Sequence, residues 1–583
     1  MKLTRRFYLY FSLAICLVLL IAPLDYWLKH PLLTYADQAL YLECARLILE
    51  GQVPYRDFFE WNPPLIMYLS IVPVVLAQLL KLPIILCFNL CVLSLSALSA
   101  ALSLFLLNRF LTIRVFVSMV PMVLAAVYYS CRELYSFGER EHLFVLAYLP
   151  FFIWRMLRHQ GKTLGKLEGY LPLPLGVWTG LMLCLKPQFV MCAAAAELIF
   201  LMGKDKSALV KRLKDPEILT FLSIAGLYLL SLLITPGGAA QTLFMKILPM
   251  HGQGYDFSRR ALIYMLRGDS FMATATYTVL AGSALGFVFG RYSLYISALG
   301  AFLSIGLFNY IYGGQAWIYR LVPAEFAAFL IVGGGTGLLL RLAILKKKQI
   351  QSISLLVLTV LMGLAFYLTQ SAMAATRLTL ATSEPFDLAR VGYNGSCPRG
   401  DFEGLFYAIV DNTSPGDRVA FLGSGISPGF PAILQANRNS GAHYLFSILA
   451  QIQHCRNLYG EEKWQPMLDK LIEKHGLDVQ KFSPKLIAIQ ELHMNNILKR
   501  ANFFERYMLN YKMIGTVDGN DLYLRVGAGG GNLSPQAWKA LHKEVVLKIL
   551  SEKSTVKDES VRTGLDEELI TKWIEEANEM LSK

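Results

Sequence analysis

Charge that could do chemistry is concentrated in four short stretches of an otherwise oily chain. The first, "YADQALYLECARLILEGQVPYRDFFEWNPP" at 35–64, carries Asp37, Glu43, Arg46, Glu50, Arg56, Asp57 and Glu60 together. The second, "FGEREHLF" at 137–144, alternates Glu139 and Glu141 with Arg140 and includes His142. The third is Lys186 in "CLKPQF", and the fourth is "GGQAWIYRLVPAEF" at 313–326, with Trp317, Tyr319 and Arg320. Ionisable groups beside hydrocarbon are costly, so they stand where charge is needed. An ionised carboxylate such as Asp37 can act as a general base. A carboxylate with a nearby histidine suits metal or phosphate work. An ammonium, or a guanidinium next to a tyrosine, suits a phosphate. His251, Arg259 and Arg260 offer further positive charge, less specifically.

Each stretch also has a structural reading. After Asp37, the residues Leu40, Tyr41, Cys44, Leu47 and Ile48 recur at helical spacing, and Gly51 and Pro54 end the run. That spacing predicts an amphipathic helix lying on the membrane surface. An Asp at its start is then equally a cap or a dipole partner. Glu43, across the same helix, is expected to be a bystander. The two glutamates could form a solvated ion pair with Arg140. Lys186 could snorkel to the interface, and Trp317 and Tyr319 suit an aromatic belt. Both readings stay open for each.

The elements that must position these groups follow from composition. The chain has 583 residues, 55% hydrophobic and 17% charged, against about 25% charged in soluble domains. Apolar runs of about 20 residues, enough to cross a bilayer, recur between residues 7 and 370. A polytopic α-helical membrane protein is predicted. The net charge of +13 does not point to nucleic acid, because the positives gather between apolar runs. Lys2, Arg5 and Arg6; Arg155, Arg158, Lys162 and Lys166; Lys204 to Lys214; and Arg341 with Lys346–Lys348 mark cytoplasmic loops. Spans are expected near 7–24, 82–107, 113–130, 142–157, 169–185, 188–202, 217–235, 271–290, 293–312, 319–341 and 352–370. This gives about eleven crossings with the N-terminus inside. Residues 63–80, broken by Pro63, Pro64 and Pro73, are read as a juxtamembrane or re-entrant helix on the outer side. A full crossing there would make twelve.

After residue 370 the texture becomes globular. Residues 371–526 are predicted to form an extracytoplasmic α/β domain, with strands at 418–422, 485–489 and 521–525 and a helix at 464–475. "GSGISPG" at 423–429 follows a strand, but Pro428 occupies the third glycine position of a dinucleotide fingerprint, so it reads as a turn. Residues 527–583 form a Gly-rich hinge and a charged tail, amphipathic over 563–581. Cys397 and Cys455 could pair in an oxidising space.

Taken together, the stretches at 35–64, 137–144, "LKPQF" and "QAWIYRLVPA" resemble the GT-C glycosyltransferases. These polytopic enzymes take sugars from polyprenyl-phosphate carriers. The nearest resemblance is to bacterial members related to protein O-mannosyltransferases and aminoarabinose transferase, over residues 1–370. It implies transfer to an envelope glycan, lipid or protein acceptor at the extracytoplasmic face of a bacterial inner membrane. It implies Asp37 as the catalytic residue that deprotonates or orients the acceptor, supported by Glu141 with Glu139 in reserve. In some members this support runs through a divalent cation, Mg2+ or Mn2+, which Asp37 and Glu141 would hold. Lys186, Arg320 and Tyr319 would hold the donor phosphate, with Tyr41, Glu60 and His142 as further substrate contacts. Two positions depart from the pattern: Trp61-Asn62 precede Pro63-Pro64 where relatives carry Lys, and Arg320 stands where some carry His. The rival readings are a transporter or flippase for a lipid-linked sugar, and a non-catalytic subunit of an envelope-glycan assembly complex.

Overall fold

The computed structural model describes residues 36–110, 119, 123, 136–161, 165–202, 212–235, 238–247, 260–267, 279–280, 282–287, 290, 293–315, 317–343, 403–445, 447–490, 493–526, 535–551, 554–563 and 567–582. Its elements in chain order begin with α1 (Ala36–Leu49), α2 (Leu65–Leu69), α3 (Ile71–Leu80) and α4 (Ile84–Phe110). Next come α5 (Arg140–His159), α6 (Pro172–Leu183), α7 (Pro187–Met202) and α8 (Pro216–Ile234). Then follow α9 (Leu294–Gly313) and α10 (Val322–Ala343). The C-terminal part has α11 (Glu403–Asn412), β1 (Arg418–Leu422), α12 (Gly429–Gln435), β2 (Asn439–Ser440) and α13 (Glu461–Phe482). It continues with β3 (Leu486–Gln490), β4 (Tyr511–Val517), β5 (Asn520–Arg525), α14 (Pro535–Leu550) and α15 (Glu567–Ser582). The chain divides into two compact units. One takes Met1–Lys29, Leu86–Thr235 and Ser258–Phe386; the other takes His30–Ile85, Pro236–Phe257 and Asp387–Lys583.

The first unit is helical. Among the described residues, three helices are long and apolar enough to cross a membrane: Ile84–Asn108, Pro216–Ile234 and Leu294–Gly313. Two serines of the first bond back into the helix: Ser94 and Ser96 donate to the Leu90 and Val92 carbonyls at 2.8 Å. The expected spans at 7–24 and 352–370 lie outside the described residues, as does most of 113–130 and 271–290. An aromatic core joins α5, α7 and α9, with Phe144 stacked on Phe189 at 4.4 Å and Tyr148 on Phe302 at 5.0 Å. It holds α5 buried over nearly its whole length.

One sequence expectation is corrected at the end of α5. Arg155 and Arg158 are not loop charges. Arg155 is 1% exposed within the helix. It pairs with Glu197 on α7 at 2.9 Å, Asp215 at 2.5 Å and Glu217 on α8 at 2.8 Å. Arg158 adds contacts to Asp215 at 3.3 Å and Glu217 at 3.1 Å. Three acids distant in sequence turn a basic cluster into a buried ion-pair network.

The second unit is built on a five-stranded sheet of order β2-β1-β3-β5-β4. β1 runs parallel to β2 and β3, while β5 is antiparallel to β3 and β4. The apolar runs expected at 418–422, 485–489 and 521–525 are strands; β2 and β4 are added by the structure. Leu405, Ile409, Phe421, Ile433, Leu486 and Leu522 fill the core between α11, α12 and the sheet. In the tail, Val545 and Val546 of α14 pack with Ile570 and Trp573 of α15. The hinge at 527–532 and Cys397 lie outside the described residues.

Residues 36–80 pack within this second unit. The helix expected after Asp37 is there, but it does not lie on a surface. Ala39, Leu40, Leu42, Cys44 and Ala45 are fully buried, and only its last turn opens to solvent. α2, α3 and α12 cover it. The apolar pattern fits burial because small residues, Ala39, Cys44 and Ala45, let neighbours approach where a surface helix would present charge. Segment 63–80 forms two helices of 5 and 10 residues. Each is too short to cross a bilayer, which takes about 20 residues.

Candidate functional site

The first-unit candidates converge around the start of α5. Gly138 (φ +84°) makes the turn that enters the helix, and a Cβ there would sit 2.5 Å from the Phe88 ring. The turn is stitched by its own histidine: His142 Nδ1 accepts from the Gly138 N–H at 3.1 Å, and the ring is wholly buried. Glu141 stands in the first turn of α5, where the helix dipole favours a carboxylate. Glu139 precedes the helix at its N-cap, 1% exposed.

Lys186 reaches Glu141 from the connection between α6 and α7. α6 ends at Leu183, and Pro187, which donates no backbone hydrogen bond, starts α7. The last of the three intervening residues, Lys186, delivers its ammonium 2.6 Å from Glu141 Oε1 and 5.2 Å from the centre of the Tyr319 ring. Desolvation, followed by repulsion from Arg140, lowers the Lys186 ammonium to about 8 against the pull of Glu141; Arg320 adds to the repulsion. Glu141 Oε2 is buried and accepts no hydrogen bond from any described residue.

Tyr319 and Arg320 occupy a 3-10 turn, Ile318–Leu321, between α9 and α10. α9 is stopped by Gly314 at φ +69°, whose carbonyl accepts from the Arg260 N–H at 2.8 Å. A Cβ at Gly313 would collide with the Arg320 guanidinium. That guanidinium donates to Gln315 Oε1 and lies 4.6 Å over the Trp317 ring, while Trp317 stacks on Tyr319 at 6.0 Å. An aromatic shelf thus carries the cations Lys186 and Arg320. Among the charges that act on Lys186 are two guanidinium groups and the Glu141 carboxylate. Repulsion from the two guanidinium groups acts on Lys186, and an anion beside it would relieve that repulsion.

Sequence reasoning brought Glu141, Lys186, Tyr319 and Arg320 forward, and these four form one constellation. It passed over Arg140 and Gln315. Arg140 sits between two glutamates, so local pairing was its natural reading, and no spacing rule relates it to a lysine 46 positions on.

Asp37, Tyr41 and Glu60 belong to the second unit. Asp37 is half-buried in the first turn of α1, and Tyr41, one turn on, is 2% exposed. Glu60 fastens its own loop: Oε1 accepts from the Asn62 side chain at 2.9 Å and Oε2 from the Asn62 backbone N–H. Tyr55 donates to the Asn62 carbonyl at 2.5 Å and closes the same turn. Glu43 is no bystander. It is 1% exposed, paired with Arg46 at 2.7 Å, and its Oε1 accepts from the Ser440 N–H at 3.0 Å.

The divalent cation implied by the resemblance would take Asp37 and Glu141. Glu141 already faces an ammonium, which opposes a second positive charge there. Among the described residues, no group of three or more His, Cys, Asp or Glu side chains could hold a metal. This donor set does not fit a divalent ion, and no step below runs through one.

No family model matches the chain, and no curated protein matches it in sequence. Solved structures do match in fold. ArnT from Cupriavidus metallidurans bound to undecaprenyl phosphate superposes with a TM-score of 0.54 at 12% identity, over 89% of this chain and 99% of that one. The apo form of the same protein gives 0.53 at 12% identity, again over 89% and 99%. The chain is a membrane protein with a GT-C fold, as the loop motifs led one to expect.

Proposed function

We propose that this chain is an integral membrane glycosyltransferase. It moves a sugar from a polyprenyl-phosphate-linked donor to an envelope glycan, lipid or protein acceptor at the extracytoplasmic face of a bacterial inner membrane. The observation that carries this reading is the approach of Arg140 and Arg320 to Lys186, set on the Trp317–Tyr319 shelf. A donor phosphodiester would pair with these cations. The fold shared with ArnT, which was solved with undecaprenyl phosphate, supports the same donor class.

In this reading Lys186, Arg320 and Arg140 bind the donor phosphate, and Tyr319 lines its seat. The acceptor hydroxyl attacks the anomeric carbon, and the bond from that carbon to the phosphate oxygen breaks. The hydroxyl proton passes to the Asp37 carboxylate, and the polyprenyl phosphate leaves with the bonding electron pair. The cations stabilise the phosphate as its charge develops. Glu141 orients Lys186, and its free Oε2 can accept a hydrogen bond from substrate.

The test is a transfer assay with the purified, reconstituted protein and a radiolabelled polyprenyl-phosphate sugar. Release of polyprenyl phosphate with label moved to an acceptor supports the proposal. Movement of intact donor across the bilayer without cleavage would instead make the protein a flippase. Within the assay, Asp37→Asn keeps the side-chain size and most capping capacity but cannot take a proton. It is expected to bind donor normally and lose about 100- to 10,000-fold in turnover. Near-parental transfer by this variant would reduce Asp37 to a helix cap.

A further inference from the structure

The open edge of the C-terminal sheet is capped by a side chain from the first loop. β2 is an edge strand of two residues. The N–H groups of Asn439 and Gly441 point inward, to the Asp417 and Val419 carbonyls of the β1 side, both at 2.9 Å. The N–H of Ser440, between them, must therefore point away from the sheet. Glu43 meets it at 3.0 Å. A buried carboxylate needs its own partner, and Arg46 supplies one with two bonds, of 2.9 and 2.7 Å.

A second strap lies sixteen residues further on. Phe59 N–H donates to the His443 carbonyl at 2.9 Å, and His443 Nδ1 donates to the Asp57 carbonyl at 2.7 Å. The Phe59 ring rests on Tyr444 at 5.1 Å. α13 braces this strap from behind: Asp478 accepts from the His443 N–H at 2.8 Å, and Lys474 donates to the Tyr444 hydroxyl at 3.1 Å. The stretch 440–444 thus grips the first loop at both ends, once through a helix side chain and once through backbone.

We infer that Glu43 is a positioning residue of the transfer reaction: by locking α1 onto the edge of the C-terminal sheet, it fixes the stance of Asp37. This rests on the transferase reading above. The two residues share one rigid helix, six positions apart, so a slip or rotation of α1 displaces both. A misplacement of about 1 Å can cost about 100-fold in rate. The geometry also gives the C-terminal domain a role, that of holding the catalytic helix.

Three variants of the full-length, reconstituted protein test this. Glu43→Ala removes the acceptor. Glu43→Gln keeps an acceptor oxygen for Ser440 but weakens the hold on Arg46. Ser440→Ala keeps the backbone N–H. Expected for Glu43→Ala is a fall in kcat of about 100-fold with the donor KM within about twofold of the parent. Glu43→Gln should recover part of that loss, and Ser440→Ala should match the parent. Hydrogen exchange supplies the second readout: in Glu43→Ala, exchange should rise across 36–49 while β1 and β3 stay protected. Parental kcat in Glu43→Ala, or unchanged exchange in α1, overturns the inference. If the strands also lose protection, Glu43→Gln decides: lowered kcat at parental donor KM supports it, and parental kcat overturns it. A parent without transfer activity would defeat the transferase reading, and with it the catalytic role, while the exchange data would still report on the clamp.

Discussion

The two ends of α5 bury charge in opposite ways. At its C-terminal end, Arg155 and Arg158 meet Glu197, Asp215 and Glu217 in a network where every guanidinium has close acidic partners. At its N-terminal end, about four turns away, Lys186 pairs with Glu141 and is repelled by Arg140 and Arg320. The two sets share α5 but differ in their other supports: α7 and α8 hold the first, the α6–α7 connection and the turn before α10 the second. A network that neutralises itself has no need of a ligand and can only tie α5, α7 and α8 together. At the other end, Arg140 and Arg320 repel Lys186, a repulsion that an anion would relieve. Buried charge by itself says little about function, whereas repulsion between neighbouring cations suits an anionic ligand.

The largest effect should come from breaking the balanced end. Arg155→Leu leaves three buried acids short of their main partner, and removing one member of such a network costs about 3–5 kcal/mol. The yield and melting temperature of the purified protein should drop sharply, while turnover per folded molecule survives. A variant that folds well but loses donor binding would erase the distinction between the two ends.

Next come Lys186→Ala and Arg320→Ala. Each removes a charge-assisted contact worth about 1.5–3 kcal/mol, so donor should bind about tenfold to a hundredfold more weakly. Melting temperature should fall for Lys186→Ala, which leaves the buried Glu141 without its ammonium, and change less for Arg320→Ala. Titration of the reconstituted variants with a polyprenyl-phosphate sugar measures this. Parental affinity in both would leave these residues as membrane anchors.

The smallest effect is a pH limb that sharpens the comparison. Lys186 is a cation below about 8 and neutral above it. A phosphodiester prefers the cation, so donor affinity should hold below that point and weaken as pH rises through it. Arginine stays charged throughout this range, so Lys186→Arg should bind donor with a flat profile to pH 9. A parental profile without that limb would mean that Lys186 does not contact the phosphate.

How far this was legible in the sequence depends on the distance between cause and effect. The α/β domain was visible because "RVAFL" and "KLIAI" are short, apolar and bounded by polar turns, which is local information. β2 was not visible: two residues, Asn439 and Ser440, carry no pattern, and only pairing with β1 makes them a strand. The helix after Asp37 was also legible, but its setting was not. Leu40, Cys44 and Leu47 signal one apolar face, and nothing in 35–64 shows that α12, from residues 429–435, covers it too. Lys186, Tyr319 and Arg320 stood out because each interrupts an apolar stretch, whereas Arg140 hid among acids.

The sequence by itself determined the membrane class, three strands of the C-terminal sheet and the short list of charged residues from which a site could be made. Each rests on hydropathy and periodicity, which act between near neighbours. Only the tertiary structure decided which charges are neutralised and which are not. Glu197, Asp215 and Glu217 lie 42 to 62 positions from Arg155, and Glu141 lies 45 from Lys186. Glu43 finds the Ser440 N–H across 397 positions. Electrostatic energy depends on distance in space and on exclusion of water, and neither is set until the chain has packed.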